Sequence, residues 1–234
     1  MTRLLTAIAS AIIFCSCHTI TGSGNIITQE RHPDQFDGVR SSGSIDVEVM
    51  NDNSQLVKVE ADDNIMPYVI TNVENGTLNV HLRSNQVYHD INVKVYVSAP
   101  TLSRLYVSGS GSITSKGTIT DADRIEFKVS GSGDINSLVD APAITADVSG
   151  SGTLKLSGRT KDFNCGVSGS GDLKCKELLS ENTTASVSGS GTAHVFASVS
   201  LNAKVSGSGD IYYSGNPASP VIHKSGSGSV REEK

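Results

Sequence analysis

Val148-Ser149-Gly150-Ser151-Gly152 decides the fold, because the same five residues return at a fixed distance along the chain. Copies begin at Val107, Val129, Val148, Val167, Val187 and Val205, and a degenerate seventh begins at Lys224. The intervals are 22, 19, 19, 20, 18 and 19 residues. Self-similarity at such a period marks a solenoid, in which each repeat buries its apolar face only against its neighbours. The 23 glycines of this 234-residue chain therefore signal order rather than low complexity.

The flanks of the pentapeptide say which kind of solenoid. Two before each Val stand Leu105, Phe127, Ala146, Cys165, Ala185 and Ala203; six after it stand Ile113, Ile135, Leu154, Leu173, Ala193 and Ile211. Four before it the residues are Ser103, Ile125, Ile144, Phe163, Thr183 and Leu201. The positions between are mostly polar, such as Glu126, Lys128, Asn164 and Lys204. This is the period-two alternation of strands. From four before the Val to eight after it, even positions face in and odd positions face out. Both glycines are thus inward and both serines outward. Thirteen straight strand residues would span roughly 43 Å, too far for a compact coil, so the chain must bend, and glycine is where it can. The expected class is all-β, a parallel β-helix of about 19-residue coils. An antiparallel sandwich or barrel is the alternative, but it needs no common pentapeptide at every turn.

Residues 18–100 lack the full repeat yet are strand-rich, as in Ser44-Ile45-Asp46-Val47-Glu48-Val49 and Ile91-Asn92-Val93-Lys94-Val95-Tyr96-Val97. Asn75-Gly76 is a strong hairpin signal. Asp62 to Val69 is the one candidate helix, broken by Pro67. We expect an irregular N-terminal β-module with the first coils over 18–100, a repeat helix over 101–230 and a charged tail over 231–234. The module would cover one open end; Pro217, Pro220 and the tail would blunt the other.

Residues 1–17 read as a signal peptide. Arg3 supplies a minimal positive region, and Leu4 to Phe14 is uncharged and too short to span a bilayer as a helix. Phe14-Cys15-Ser16-Cys17 resembles a bacterial lipobox, with Cys17 the lipidated residue because Ser16 fits the position before cleavage. Acylation would anchor the protein to a membrane. An ordinary signal peptide cleaved nearby is the plainer alternative. Cys165 and Cys175 sit in inward columns and read as small buried hydrophobes, though a disulfide is open to them in an oxidising envelope.

With Phe36-Asp37-Gly38-Val39, Ser42-Gly43-Ser44-Ile45-Asp46-Val47, Glu60-Ala61-Asp62-Asp63-Asn64-Ile65-Met66-Pro67-Tyr68-Val69 and Asn75-Gly76-Thr77-Leu78, followed by the serial Ser-Gly-Ser-Gly coils, the chain resembles the auto-transporter adhesin head GIN domain family over about 25–230. The resemblance implies a β-helical fold in secreted or lipid-anchored envelope proteins of Bacteroidetes-type bacteria. It carries over no catalytic residue.

One column invites a functional reading. Directly after the pentapeptides stand Ser112, Asp134, Thr153, Asp172, Thr192, Asp210 and Ser229. Asp134, Asp172 and Asp210 would lie on every second coil, roughly 9.6 Å apart, an outward edge with acceptors for cations or sugar hydroxyls. The plainer account is that Thr153 and Thr192 keep like charges from stacking at about 4.8 Å while supplying hydroxyl donors.

Other chemistries fare worse. Aspartate follows the Gly-Ser-Gly turn only in alternate coils, unlike nonapeptide calcium rolls. No Gly-Lys-Ser/Thr marks a phosphate loop. The six histidines are scattered, and Asp90, Asp121, Asp123 and Asp140 lie between repeats without visible pairing. Asp121 and Asp123 with Arg124 read as a solvated loop. Polysaccharide-cleaving β-helices need groups converging on a cleft, and short coils leave little room for one. Twenty-four acidic against 19 basic residues, net −5, disfavours nucleic acid. We therefore expect no metal, no cofactor and no catalysis. The expected role is a lipid-anchored, outer-membrane-associated envelope rod acting in adhesion, surface interaction or scaffolding. It would bear on a glycan or protein ligand or stack end to end into homo-oligomers. A carbohydrate-binding or carbohydrate-active β-helix is the alternative. The absence of acidic residues in His18-Thr19-Ile20-Thr21 tilts the face towards the periplasm.

Overall fold

The computed structural model describes residues 19–233; the leader, Cys17 and Lys234 lie outside them. Each coil consists of two strand runs joined at the pentapeptide. The run that ends in the pentapeptide builds one column. It passes through Gly38–Gly43, Arg104–Gly109, Arg124–Gly131, the later halves of Asp134–Gly150 and Thr153–Gly169, then Leu178–Gly189, Ser200–Gly207 and Val221–Gly226, all parallel. The run that follows builds the second column. It passes through Asp46–Asn51, Ser112–Thr120, the earlier halves of Asp134–Gly150 and Thr153–Gly169, then Asp172–Lys174, Thr192–Ala197, Asp210–Gly215 and Ser229–Glu232. A parallel β-helix is the result, with like positions stacked: Val107, Val129, Val148, Val167, Val187 and Val205 are successive partners.

The predicted parity holds except at the first glycine of each pentapeptide, which was expected inward but is partly exposed at Gly150 and exposed at Gly131, because the chain turns there with a positive φ. Ile144, Ala146, Val148, Gly152, Leu154 and Leu156 are buried, while Ser149, Ser151 and Lys155 are exposed. What the alternation did not reveal is a second corner, where parity is reset. Pro142-Ala143, between buried Ala141 and Ile144, and Lys161-Asp162, between buried Thr160 and Phe163, place two successive residues off the core. The 22-residue interval also has a local cause. Thr114 pairs with Asn136 but Thr118 with Leu138, so extra residues bulge outward around Gly117, whose φ is +86°.

The two glycines of the repeat are required for different reasons. From Gly109 to Gly207 the first has a φ between +114° and +124°, a region that L side chains avoid. The second has no such constraint. A Cβ on Gly152 would instead lie 2.2 Å from the Gly133 carbonyl oxygen and 2.6 Å from Cγ1 of Val129. The same 2.6 Å approach to the preceding coil's valine recurs at Gly133, Gly171, Gly191, Gly209 and Gly228. Each valine therefore nests in the space the next coil's second glycine leaves empty, and close packing of this kind tolerates little change in volume.

The N-terminal segment continues the same sheets. Gly38–Gly43 and Asp46–Asn51 form a true first coil, with Ser41-Ser42-Gly43-Ser44-Ile45 at the corner and buried Ile45 where later coils have glycine. Beyond it lie Thr77–Leu82 and Val93–Ala99, still parallel. Antiparallel additions then close the end: Val69–Glu74 on Thr77–Leu82, and Leu56–Asp62 followed by Ile26–Arg31 on Val93–Ala99. Asn75 and Gly76, with φ of 51° and 71°, make the expected two-residue hairpin turn. The candidate helix shrinks to one 3-10 turn, Met66–Tyr68, because Pro67 cannot donate within a longer helix.

The C-terminal expectation needs correction. The degenerate copy at Lys224 forms the expected coil beyond Pro220 and the buried Pro217, but Arg231 and Glu232 continue its strand Ser229–Glu232 rather than forming a separate charged tail. This last coil has no successor among the described residues, and it carries Lys224 in register with Val205. A charge on the inward column is a recognised way to blunt an open edge. Glu233 is fastened back to Lys176 at 3.0 Å and to His194 at 3.1 Å.

Candidate functional site

The structure brings the predicted edge together in one unbroken register: Ser112, Asp134, Thr153, Asp172, Thr192, Asp210, Ser229. It also adds a member. Asp46 precedes Ser112 in the column, itself paired with Lys94, so carboxylate and hydroxyl alternate over eight successive coils. The signal for Asp46 was present in its own chain segment, since it follows the degenerate corner Ser41–Ile45 just as Asp134 follows Val129–Gly133.

The aspartates have work within the wall. Oδ1 of Asp46 accepts the Ser112 N–H at 3.1 Å and its hydroxyl at 2.7 Å. Oδ1 of Asp134 accepts the Thr153 N–H at 3.1 Å. Oδ1 of Asp210 accepts the Ser229 N–H at 2.9 Å and its hydroxyl at 2.5 Å. Asp172 instead pairs with Lys174 at 3.6 Å. The hydrogen bond from the Ser229 hydroxyl, with that from its N–H, holds the Asp210 carboxyl below the usual range. Carboxylates bonded in this way clip one coil to the next.

A parallel economy runs along the rest of the outer wall. Asn182 donates to Asp162 at 2.9 Å and Ser200 to Asn182 at 2.8 Å. Tyr106 donates to Glu126 at 2.7 Å, which together with burial pushes its phenol up to about 12. Near the second corner an open groove of about 560 Å³ is lined by Asp140, Pro142, Arg159, Leu179 and Phe196, with Arg159 paired to Asp140 at 3.2 Å. Asp121 and Asp123 form the expected loop, Asp121 accepting the N–H groups of Asp123 and Arg124.

Among the described residues no three His, Cys, Asp or Glu side chains gather to hold a metal ion. Cys165 stacks between Ala146 and Ala185, and Cys175 is likewise buried; both are free thiols. Burial raises both, Cys175 to about 12, which removes the thiolate needed for reactivity.

The model of the family described as "Putative auto-transporter adhesin, head GIN domain" matches residues 35–217. The chain belongs to this family. The description is that of an adhesin, and so of an extracellular or envelope-associated protein. Solved structures share the fold. A crystal structure described as a putative adhesin from Bacteroides fragilis superposes with a TM-score of 0.85 at 21% identity, covering 92% of this chain and 100% of that one. One described as a putative lipid binding protein from Parabacteroides distasonis gives 0.76 at 26% identity over the same shares. One described as a putative adhesin from Parabacteroides merdae gives 0.70 at 18%, covering 93% and 100%. No curated protein matches.

Proposed function

We propose that this GIN-domain protein is a non-catalytic, lipid-anchored rod of the cell envelope that acts in adhesion to surrounding surfaces. The observation that carries this reading is the use of the outer wall. Carboxylates, amides and hydroxyls at Asp46, Asp134, Asp162, Asn182 and Asp210 are engaged in coil-to-coil bonds. Catalysis would call instead for acids and bases converging on one reacting atom. Membership of an adhesin-head family supports the same role, and the lipobox-like Cys17 supplies the anchor.

A carbohydrate-active β-helix is the second reading, favoured by the carboxylate, amide and hydroxyl ladder Asp162, Asn182, Ser200 beside the groove at Arg159. A glycan array combined with a reducing-end assay separates the two. Binding without product release supports adhesion, and release of reducing ends refutes the non-catalytic reading. Protease accessibility on whole cells then reads the membrane face, where surface adhesion requires cleavage of the intact protein from outside.

A further inference from the structure

We infer that the closed end of the rod docks directly on the lipid interface through a small aromatic and apolar surface built by Thr19–Thr21 and Val87–His89. The inference rests on the anchoring reading of Cys17 and adds where the body must then sit. Thr19, Ile20 and Thr21 form a strand paired in register with Val87, Tyr88 and His89. Only His18 separates this strand from Cys17. Two residues reach at most about 7 Å, and a paired strand lies about 4.8 Å further. The Val87 backbone is therefore held within about 12 Å of an acylated Cys17, at the depth of the headgroups. No linker is left to lift the body away.

The chemistry of that surface suits the position. Val87 is 45% exposed on this ribbon, beside the partly buried Tyr88. Tyr68 and Tyr88 meet edge to face at 6.1 Å, and the Arg83 guanidinium lies 5.6 Å from the centre of the Tyr68 ring. The Tyr88 hydroxyl donates to the Arg83 carbonyl at 2.8 Å, which fixes the ring on the body. Tyrosines with one apolar and one wet end, and an arginine whose stem can lie along apolar surface, are the side chains that settle at the membrane–water boundary. Ile20 packs beneath them on the core, so the ribbon cannot swing freely. Asp90, bonded to His89 at 2.9 Å, and Asp63 share this end. They make a zwitterionic headgroup layer, and not an anionic one, the fitting partner.

The chain has no tryptophan, so one introduced residue reports without background. Full-length Val87→Trp and Val221→Trp proteins are purified from membranes and placed in phosphatidylethanolamine–phosphatidylcholine vesicles with brominated acyl chains. Val221 lies on the last coil, eight strand spacings or roughly 38 Å from Thr77–Leu82. Quenching of V87W by two-fold or more, with V221W unchanged and the effect insensitive to 0.5 M salt, is expected. Equal fluorescence of V87W on brominated and plain lipid overturns the docking. Ser84→Trp, on the adjacent exposed turn, gives the same reading should Val87→Trp fold poorly. The mass of the N-terminal peptide reads acylation independently. An unmodified Cys17 refutes the anchor, while quenching on the vesicles still decides whether this surface docks.

Discussion

Alanine at Gly150 and at Gly43 should cost very different amounts, although both glycines occupy the same place in their corners. Gly43 has a φ of +86° and Gly150 of +122°, so each substitution carries backbone strain on the order of 1–3 kcal/mol. They differ in what the new methyl group meets. At Gly150 it would lie 2.4 Å from the Gly131 carbonyl oxygen and 3.1 Å from the Gly131 nitrogen, whereas at Gly43 nothing lies within 4 Å. The obstruction is the backbone of the preceding coil, which cannot rotate away. Relief requires the two coils to separate locally, and overpacking of this kind adds about 1–3 kcal/mol. For a domain of this size each kcal/mol lowers the melting temperature by about 2–4 °C. Gly150→Ala should therefore melt roughly 2–12 °C below Gly43→Ala, by circular dichroism of the sheet signal at a fixed heating rate. Two variants melting within about 1 °C of each other would show that the corner glycines serve only backbone conformation and that stacking contact is irrelevant.

Thr153→Asp places three carboxylates in a row, Asp134, the new one and Asp172. At about 4.8 Å and the dielectric of water each contact costs roughly 0.9 kcal/mol, so the variant should lose about 2 kcal/mol in dilute buffer and recover most of it in 1 M salt. Unchanged stability at low salt defeats the charge-spacing account. Ser137 faces the core beside Leu156 with its hydroxyl buried and unbonded. Ser137→Ala should accordingly raise the denaturation midpoint, by an amount equivalent to about 1–3 kcal/mol. The Asp210 carboxyl is depressed in the folded state by its bonds to Ser229. Its contribution is therefore present above the unfolded value near 3.9 and disappears as the pH falls through the lowered folded value. Hydrogen exchange in Val221–Gly226 and Ser229–Glu232 should accelerate over that interval, and Asp210→Asn should remove the dependence.

Much of this was legible because stacking turns sequence period into spatial contact. Val148 had to meet Val129 and Val167 once the period was read, and the alternation around it assigned inside and outside without further information. The second corner was hidden because nothing repeats there: Pro142-Ala143 and Lys161-Asp162 share no residue type, only a break in parity. The last coil was legible from the degenerate copy at Lys224, but its extent was not, because the charges of Arg231 and Glu232 read as a tail although both continue the strand Ser229–Glu232. The reason for the second glycine was equally invisible, since it lies in a neighbouring coil's valine and not in the glycine's own backbone. In the candidate edge, the aspartates and their spacing could be read directly. Their bonds to the next coil's N–H groups could not, because a repeat shows which residues are neighbours but not which atoms face each other.

The alternation of Asp with Ser or Thr gives the rod a hidden two-coil phase. Removing Thr153–Gly171 would leave every sheet and every nested valine intact yet bring Asp134 against Asp172. Removing Thr153–Gly191 would restore Thr192 beside Asp134 and leave the edge unaltered. A change of length by pairs of coils therefore leaves the edge unaltered, whereas a single coil lost leaves a fault whose nature depends on which kind went: carboxylate against carboxylate where a hydroxyl coil is removed, hydroxyl against hydroxyl where an aspartate coil is removed.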